Sequence, residues 1–231
     1  LLPLVMGIMA GSVLSGQLIS RTGRYRKFPI ICAVLLTTGL LLMSTLGVDT
    51  PIAVLDAYAV IFGLGLGLNM QPLVLAVQNA VPPKDMGVAT SSATFFRQLC
   101  GTLGTAVFLS VLFSTVSSNI ASAFRKAAGT VDFQAAVKDP AVLADPTNAQ
   151  LVHGLAAGAG GGAGAPGGVL EDSSFLSHLD ERLARPFLEG FANSMSVVFL
   201  LAAGVMAVAF AITLFLPEEK LRDQSGIAAA Q

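Results

Sequence analysis

Residues 16–27 read Gly16-Gln-Leu-Ile-Ser-Arg-Thr-Gly-Arg-Tyr-Arg-Lys27, and apolar segments flank their charged part on both sides, at 1–19 and 28–48. Four cations fall within seven residues of this stretch: Arg21, Arg24, Arg26 and Lys27. Short loops rich in Lys and Arg stay on the cytoplasmic side of multi-span membrane proteins. The pattern therefore predicts an integral membrane protein whose loop 20–27 is cytoplasmic.

The composition agrees with a chain that lies in a lipid bilayer. Hydrophobic residues make up 54% of it, charged residues 12%, and the mean hydropathy is +0.74. Soluble domains carry about 25% charged residues. The net charge is -1 and no basic stripe is present, which argues against a nucleic-acid partner.

Five segments are apolar over the roughly 20 residues that a spanning helix needs. They are residues 1–19, 28–46, 52–76, 89–112 and 193–216. The fold expected from them is an all-α transmembrane protein with five spanning helices. The chain opens with Leu-Leu-Pro, without Met or a signal peptide, and we expect it to be the C-terminal part of a longer protein.

Four regions follow from these segments. Residues 1–114 hold four transmembrane helices, 115–190 form a long extracellular loop, 191–216 form the last transmembrane helix, and 217–231 are a cytoplasmic tail. Residues 154–168 are mostly Gly and Ala, which predicts a flexible segment. Residues 171–189 show helical apolar spacing among charges and predict an amphipathic helix that leads into the last span.

Small residues recur within the spans at the spacing that lets helix backbones approach each other closely in lipid. In the first span, Gly7, Gly11 and Ser15 are each four residues apart. The third span contains Gly63-Leu-Gly-Leu-Gly67, and Gly101 lies in the fourth. We expect Gly7, Gly11, Gly63, Gly67 and Gly101 to lie where helices pack together.

Polar residues inside the spans are costly in hydrocarbon and usually face a bundle interior or a water-filled path. Asn69, Gln71 and Gln78 in the third span are candidates for lining a substrate cavity; the alternative is that they hydrogen-bond to neighbouring helices. Arg97 and Gln98 lie a short way into the fourth span. We expect Arg97 to reach the cytoplasmic interface, which gives this pair a structural role beside the gate.

Nothing in the sequence forms a catalytic or metal-binding constellation. His153 and His178 lack partners at ligand spacing, and Cys32 and Cys100 both sit in apolar runs. The glycine-rich stretch 63–67 lacks the Lys and Ser/Thr of a phosphate-binding loop. We therefore predict that the protein is not an enzyme and holds neither a metal nor another cofactor.

Three stretches resemble the major facilitator superfamily. Gly16-x-Leu18-x-x-Arg21-x-Gly23-Arg24 is similar to the cytoplasmic loop motif of that superfamily, as repeated in its C-terminal half. Residues 71–81, and 87–92 followed by Phe96-Arg97-Gln98, resemble the fourteen-span drug:proton antiporters (EmrB/QacA-like), in which a long loop before the final span is also common. Ser20 stands where the loop motif often has Asp, which removes a charge partner for the neighbouring helix.

The resemblance implies that the five spans are the C-terminal portion of a superfamily helix bundle, the last five of fourteen. Gly16, Arg21, Gly23 and Arg24 would form a cytoplasmic gate loop. The protein would export small amphipathic drug-like substrates in exchange for protons by alternating access, with the proton gradient as its energy source. Its expected partners are the lipid bilayer and the N-terminal half of the same transporter, and its expected location is the plasma (bacterial inner) membrane as a multi-pass protein.

Two alternatives remain open at this point. The first is an exporter of a metabolite, lipid or siderophore on the same scaffold, which charge in the preceding helices would distinguish, because cationic drugs favour acidic cavities. The second is a truncated, non-transporting membrane protein, which the presence of an upstream reading frame encoding about nine further spans would exclude.

Overall fold

The computed structural model describes residues 1–22, 27–145, 148–149, 152–153 and 179–215. Seven α-helices and one short 3₁₀-helix, Pro83–Asp85, account for most of these residues, and the described ranges contain no β-strand. The helices are α1 (Leu2–Thr22), α2 (Lys27–Met43), α3 (Ile52–Asn79), α4 (Met86–Ala127), α5 (Val131–Lys138), α6 (Pro140–Leu143) and α7 (Glu181–Leu214). The all-α prediction is confirmed.

In the part of the chain that the structure describes, four helical stretches are long and apolar enough to cross a membrane: Leu2–Ile19, Ile52–Gln78, Pro83–Ala127 and Glu181–Leu214. The predicted second span is the shorter apolar helix Phe28–Met43. It ends before residue 46 because a turn follows at residues 44–45. A second turn at residues 48–49 is closed by the Gly47 N–H, which donates to Thr50 Oγ1 at 2.9 Å. Pro51 then precedes the first residue of α3.

Helices α4 and α7 both extend well beyond the spans predicted from hydropathy. Helix α4 has 42 residues and continues past Leu112 because Val116, Ile120 and Phe124 keep an apolar stripe at helical spacing. Helix α7 has 34 residues and joins the predicted amphipathic segment to the last span without a break. Residues 154–168, predicted to be flexible, and residues 171–178 lie outside the described part of the chain.

The chain divides into two compact units. Unit 1 comprises Leu1–Met43, Pro51–Gly104 and Phe199–Gln231, and within it α3 packs against both α1 and α2. A methyl group at Gly11 would lie 2.6 Å from the carbonyl oxygen of Leu64, and one at Gly7 would lie 2.7 Å from that of Val60. Gly63 and Gly67 are the reciprocal positions on α3, so backbone meets backbone at this crossing.

Helix α2 reaches α3 through the same kind of contact. A methyl group at Gly65 would lie 2.9 Å from Leu36 Cδ2, and one at Gly39 would lie 3.2 Å from the Cα of Phe62. Gly65 is displaced from Gly63 and Gly67 by two residues, so it points to a different side of α3. Within the stretch 63–67, Gly63 and Gly67 therefore contact α1, and Gly65 contacts α2.

Unit 2 comprises Ser44–Thr50 and Thr105–Val198 and has its own apolar core. Phe124 stands at its centre, with ring centroids 4.7 Å from Phe187 and 6.0 Å from Phe133, both in edge-to-face geometry. Leu183 and Ala136 are completely buried beside these rings. Much of the segment predicted as a loop at 115–190 is thus helical and packed, because its apolar residues repeat at helical spacing; that it is extracellular stays a prediction.

We predict that Gly11→Ala destabilises the protein. The added methyl group must push α1 and α3 apart, and overpacking of this kind costs about 1–3 kcal/mol. In a Cys100→Ala background, reaction of buried Cys32 with a thiol-reactive dye during heating would report unfolding of the intact protein in detergent, and the midpoint should fall by several degrees.

Gly101→Ala is the matched control, because a Cβ at Gly101 has no neighbour within 4 Å among the described residues. Alanine favours a helix more than glycine does, so this variant should unfold at the parent temperature or above it. Equal midpoints for Gly11→Ala and the parent would contradict a tight α1–α3 crossing.

Candidate functional site

The candidate substrate-facing residues lie in the second half of α3, directly after its glycines. Asn69 and Gln78 are half-buried, while the intervening Met70 is 48% exposed. Gln71 belongs to the same helix, but its side chain is outside the described part of the chain. The structure thus keeps Asn69 and Gln78 on one spanning helix and gives neither of them a fully exposed side chain.

Pro72 adds a backbone acceptor to this polar region. It is fully buried and lies inside α3, where it has no N–H to donate to the carbonyl oxygen of Leu68. That carbonyl belongs to the residue that precedes Asn69. An amide side chain and a carbonyl without its helical donor therefore occur within one turn of α3, a combination that suits hydrogen bonding to a polar ligand or to water.

The predicted gate loop is described in part. Gly16 is half-buried in α1, and a methyl group added there would meet no described atom within 4 Å. Arg21 is exposed in the last turn of α1. A cation in that turn interacts favourably with the carbonyl end of the helix. Gly23 and Arg24 lie outside the described residues.

Arg97 and Gln98 both lie on exposed positions of α4 within unit 1. The adjacent side chains Phe95 and Phe96 are 60% and 62% exposed. Gly101, one turn further on, also has open space in front of it among the described residues. The structure therefore does not bring these three predicted positions against α1, α2 or α3, and their assigned roles stay predictions.

A polar network in unit 2 was missed by the reasoning from sequence. The Arg182 guanidinium donates to both carboxylate oxygens of Asp180, from Nε at 3.0 Å and from Nη2 at 3.3 Å, and its Nη2 lies 3.5 Å from Asp139. Asp139 in turn accepts from the Ala141 N–H at the start of α6. An Asp directly before a Pro is a common sequence signal for a helix N-cap. The role of Asp139 as the N-cap of α6 could therefore have been predicted from the sequence.

Buried Asn148 connects this network to the core of unit 2. Its Nδ2 donates to the carbonyl oxygen of Val142 at 3.1 Å, and its Oδ1 accepts from the Asp180 N–H at 3.1 Å. Asn148 is 5% exposed, and these two bonds satisfy both ends of its amide. The segment that follows α6 is thereby fastened to the start of α7.

Arg185 joins the turn between α2 and α3 to α7. Its Nη2 lies 2.6 Å from Asp49 Oδ2, and its Nε donates to Glu189 at 3.1 Å. Asp49 and Arg185 belong to unit 2, so the two segments predicted to face the same side of the membrane are in direct contact. Asp49 and Arg185 are 136 positions apart, and no pattern in the sequence predicts that they form a pair.

No cluster of His, Cys, Asp or Glu suited to a metal ion occurs in the described residues. His153 is exposed, and His178 lies outside the described part. Cys32 is buried and Cys100 is exposed, and neither forms a disulfide.

We predict that unit 2 loosens in acid. The hydrogen bond from the Arg182 side chain holds the pKa of Asp180 below its usual value. A lowered folded-state pKa means that the stabilisation is complete above the unfolded-state pKa of about 4 and is lost as the pH falls through the lower, folded value. Hydrogen exchange of the Leu183 and Ala184 amides, which donate to the Asp180 carbonyl, should accelerate below about pH 4 after correction for intrinsic rates.

Asp180→Asn is the control for this effect. The variant should exchange faster at neutral pH than the parent and should lose most of the additional acid dependence. An identical acid dependence in the parent and in Asp180→Asn would assign the loosening to another group.

Comparison with protein families gives a match to the Major Facilitator Superfamily over residues 1–105, which contain α1, α2, α3 and half of α4. A tetracycline resistance determinant of Streptomyces rimosus is 30% identical over 99% of the chain and 65% of its own length. An uncharacterised MFS-type transporter of Mycobacterium tuberculosis is 34% identical over 96% of the chain and 27% of its own length. The multidrug transporter protein MdtP of Bacillus subtilis is 39% identical over 44% of the chain and 19% of its own length.

No solved structure gives a significant match. The chain spans less than two thirds of the length of these relatives, from 19% to 65%. By name, these relatives are a resistance determinant, an MFS-type transporter and a multidrug transporter. Together with the long apolar helices, the comparisons identify the chain as a multi-pass membrane protein that is similar, in residues 1–105, to the Major Facilitator Superfamily.

Proposed function

We propose that the chain is the C-terminal segment of a secondary active multidrug efflux transporter, which exchanges drugs for protons by alternating access. The observation that carries this proposal is the similarity, over nearly the whole chain, to a protein named for tetracycline resistance. The similarity to a multidrug transporter over 103 residues supports the same substrate class. We further propose that the five apolar helices are the last five of a fourteen-span drug:proton antiporter.

Within that transporter, α3 would contribute to the central cavity through Asn69, Gln71 and Gln78. Alternating access requires two halves that rock about a site near the middle of the bilayer. Exposed apolar residues of α4, among them Phe95, Phe96 and Leu103, would face lipid or the N-terminal half. The loop with Arg21 and Arg24 would act as the cytoplasmic gate, and unit 2 would face the outside.

The first expectation concerns export itself. Cells that make the intact protein should accumulate less ethidium than cells without it, and a protonophore should abolish the difference. Asn69→Ala should weaken export about fivefold, the effect of losing one polar contact worth about 1 kcal/mol. Steady-state ethidium fluorescence in whole cells measures each of these effects.

Met70→Ala is the matched control, because Met70 is adjacent in sequence and half exposed. It should leave export unchanged. Ethidium accumulation that is the same with and without the protein would count against multidrug export, and export that survives the protonophore would count against proton exchange.

The second expectation concerns topology. In the intact protein with its native cysteines replaced, single cysteines at Thr22 and at exposed Ala135 should differ in whole cells. A membrane-impermeant thiol reagent should label position 135 but not position 22, because short cationic loops remain in the cytoplasm. Labelling at position 22 alone would invert the topology and exclude the proposed export mechanism.

A further inference from the structure

The turn that joins α2 to α3, residues 44–50, is connected to α7 by an ion pair on the surface of unit 2. Arg185 Nη2 lies 2.6 Å from Asp49 Oδ2, and the two side chains are 53% and 76% exposed. No residue of 44–50 is buried, and none belongs to the apolar core around Phe124. The charged groups of this pair are therefore accessible to water and can be hydrated when they separate.

The turn also has hydrogen bonds of its own. The Gly47 N–H donates to Thr50 Oγ1 at 2.9 Å, and the Thr50 N–H donates to the carbonyl oxygen of Gly47 at 3.2 Å. Both bonds lie within residues 44–50 and involve no atom of α7. The turn can therefore leave α7 as a unit and keep these two bonds.

The start of α7 is anchored independently of the turn. Leu183 and Phe187 lie on the opposite side of the helix from Arg185 and are 0% and 3% exposed in the core of unit 2. Gly190 packs closely on α4, since a methyl group there would lie 2.5 Å from the Cα of Ile120. When the ion pair separates, the turn is therefore the part that moves, and α7 stays in place.

Arg185 keeps a partner when Asp49 leaves. Its Nε donates to Glu189 Oε1 at 3.1 Å, one turn along the same helix, and Glu181 also interacts electrostatically with it. Side chains at positions i and i+4 are neighbours on one helix, so this second pair does not require the turn. The open state thus contains a paired arginine and a hydrated aspartate, which keeps the free-energy difference between the closed and open states small.

We propose that Asp49 and Arg185 form a latch, which reversibly holds the turn 44–50 on α7 and opens as the ionic strength of the surrounding medium rises. An exposed ion pair is weak, and dissolved salt screens the attraction between its charges. The latch is a conformational device with two accessible states. It is built from residues of unit 2 alone, so it does not depend on the proposed transport activity.

The test measures the distance between the turn and α7 in the purified intact protein, from which the native cysteines have been removed. Spin labels at Val48→Cys and Leu188→Cys, two exposed positions, give the distribution of distances by double electron–electron resonance. Raising the salt concentration from about 0.01 M to about 1 M should increase the population at longer distance. Asp49→Asn or Arg185→Gln should raise the ratio of open to closed molecules about two- to fivefold at low salt and should abolish most of the salt response.

Three controls make the result specific. Combining Asp49→Asn with Arg185→Gln should have the effect of either single change, because both remove the same pair. Glu189→Gln removes the partner of Arg185 on its own helix, and Arg182→Gln removes neighbouring ion pairs of unit 2; both variants should keep the salt response of the parent.

Three results would overturn the latch. The first is a distance distribution that is the same in the parent and in Asp49→Asn at low salt. The second is an effect of Asp49→Asn that adds to that of Arg185→Gln, because additive changes do not come from one shared pair. The third is a parent distribution that salt leaves unchanged, which would exclude control by ionic strength.

Discussion

Contact between the backbones of α1 and α3 is the constraint on which unit 1 depends. Lipid tails are as apolar as leucine, so helices in a bilayer gain little by burying apolar side chains against each other. Association then relies on close packing, which only small residues permit. Gly7 and Gly11 on α1, opposite Gly63 and Gly67 on α3, bring the main chains within contact distance. Weak Cα–H···O contacts add to dispersion at such a crossing.

Unit 2 is held together by different forces. Aromatic rings around Phe124 form a buried core of the kind that the hydrophobic effect produces in water. Ion pairs and caps then fix the ends of its helices, and Asn148 provides the buried polar connection. Small residues matter in unit 2 as well, because a methyl group at Gly190 would lie 2.5 Å from the Cα of Ile120.

A repeat within one helix can be read from the sequence. The spacing of Gly7 and Gly11 predicts a packing face, and methyl groups at these positions would meet the backbone of α3. Hydropathy predicts that the fourth span ends at residue 112, but apolar residues at helical spacing, among them Val116 and Ile120, continue α4 to Ala127. The pairs Asp49–Arg185 and Asn119–Ser194 join distant segments, and no local pattern encodes them.

The candidate site shows the same limit. Composition identified Asn69 and Gln78 as unusual residues for a span, since polar groups in lipid are costly. Whether a side chain faces a cavity depends on neighbouring helices, which a single helix pattern does not specify. Pro72 can be read from the sequence next to these residues. Its burial and the position of the Leu68 carbonyl group can be learned only from the folded structure.

The missing hydrogen bond at Pro72 also affects the mechanics of α3. A helix resists bending because each turn is joined to the next by its ladder of hydrogen bonds, and kinks occur where that ladder is interrupted. On one side of Pro72, Gly63 and Gly67 hold α3 firmly to α1. On the other side, the helix continues for seven residues to Asn79. Helix α3 is therefore packed tightly on α1 before Pro72 and lacks one backbone hydrogen bond where its last seven residues begin, so bending at this point would disrupt the fewest contacts.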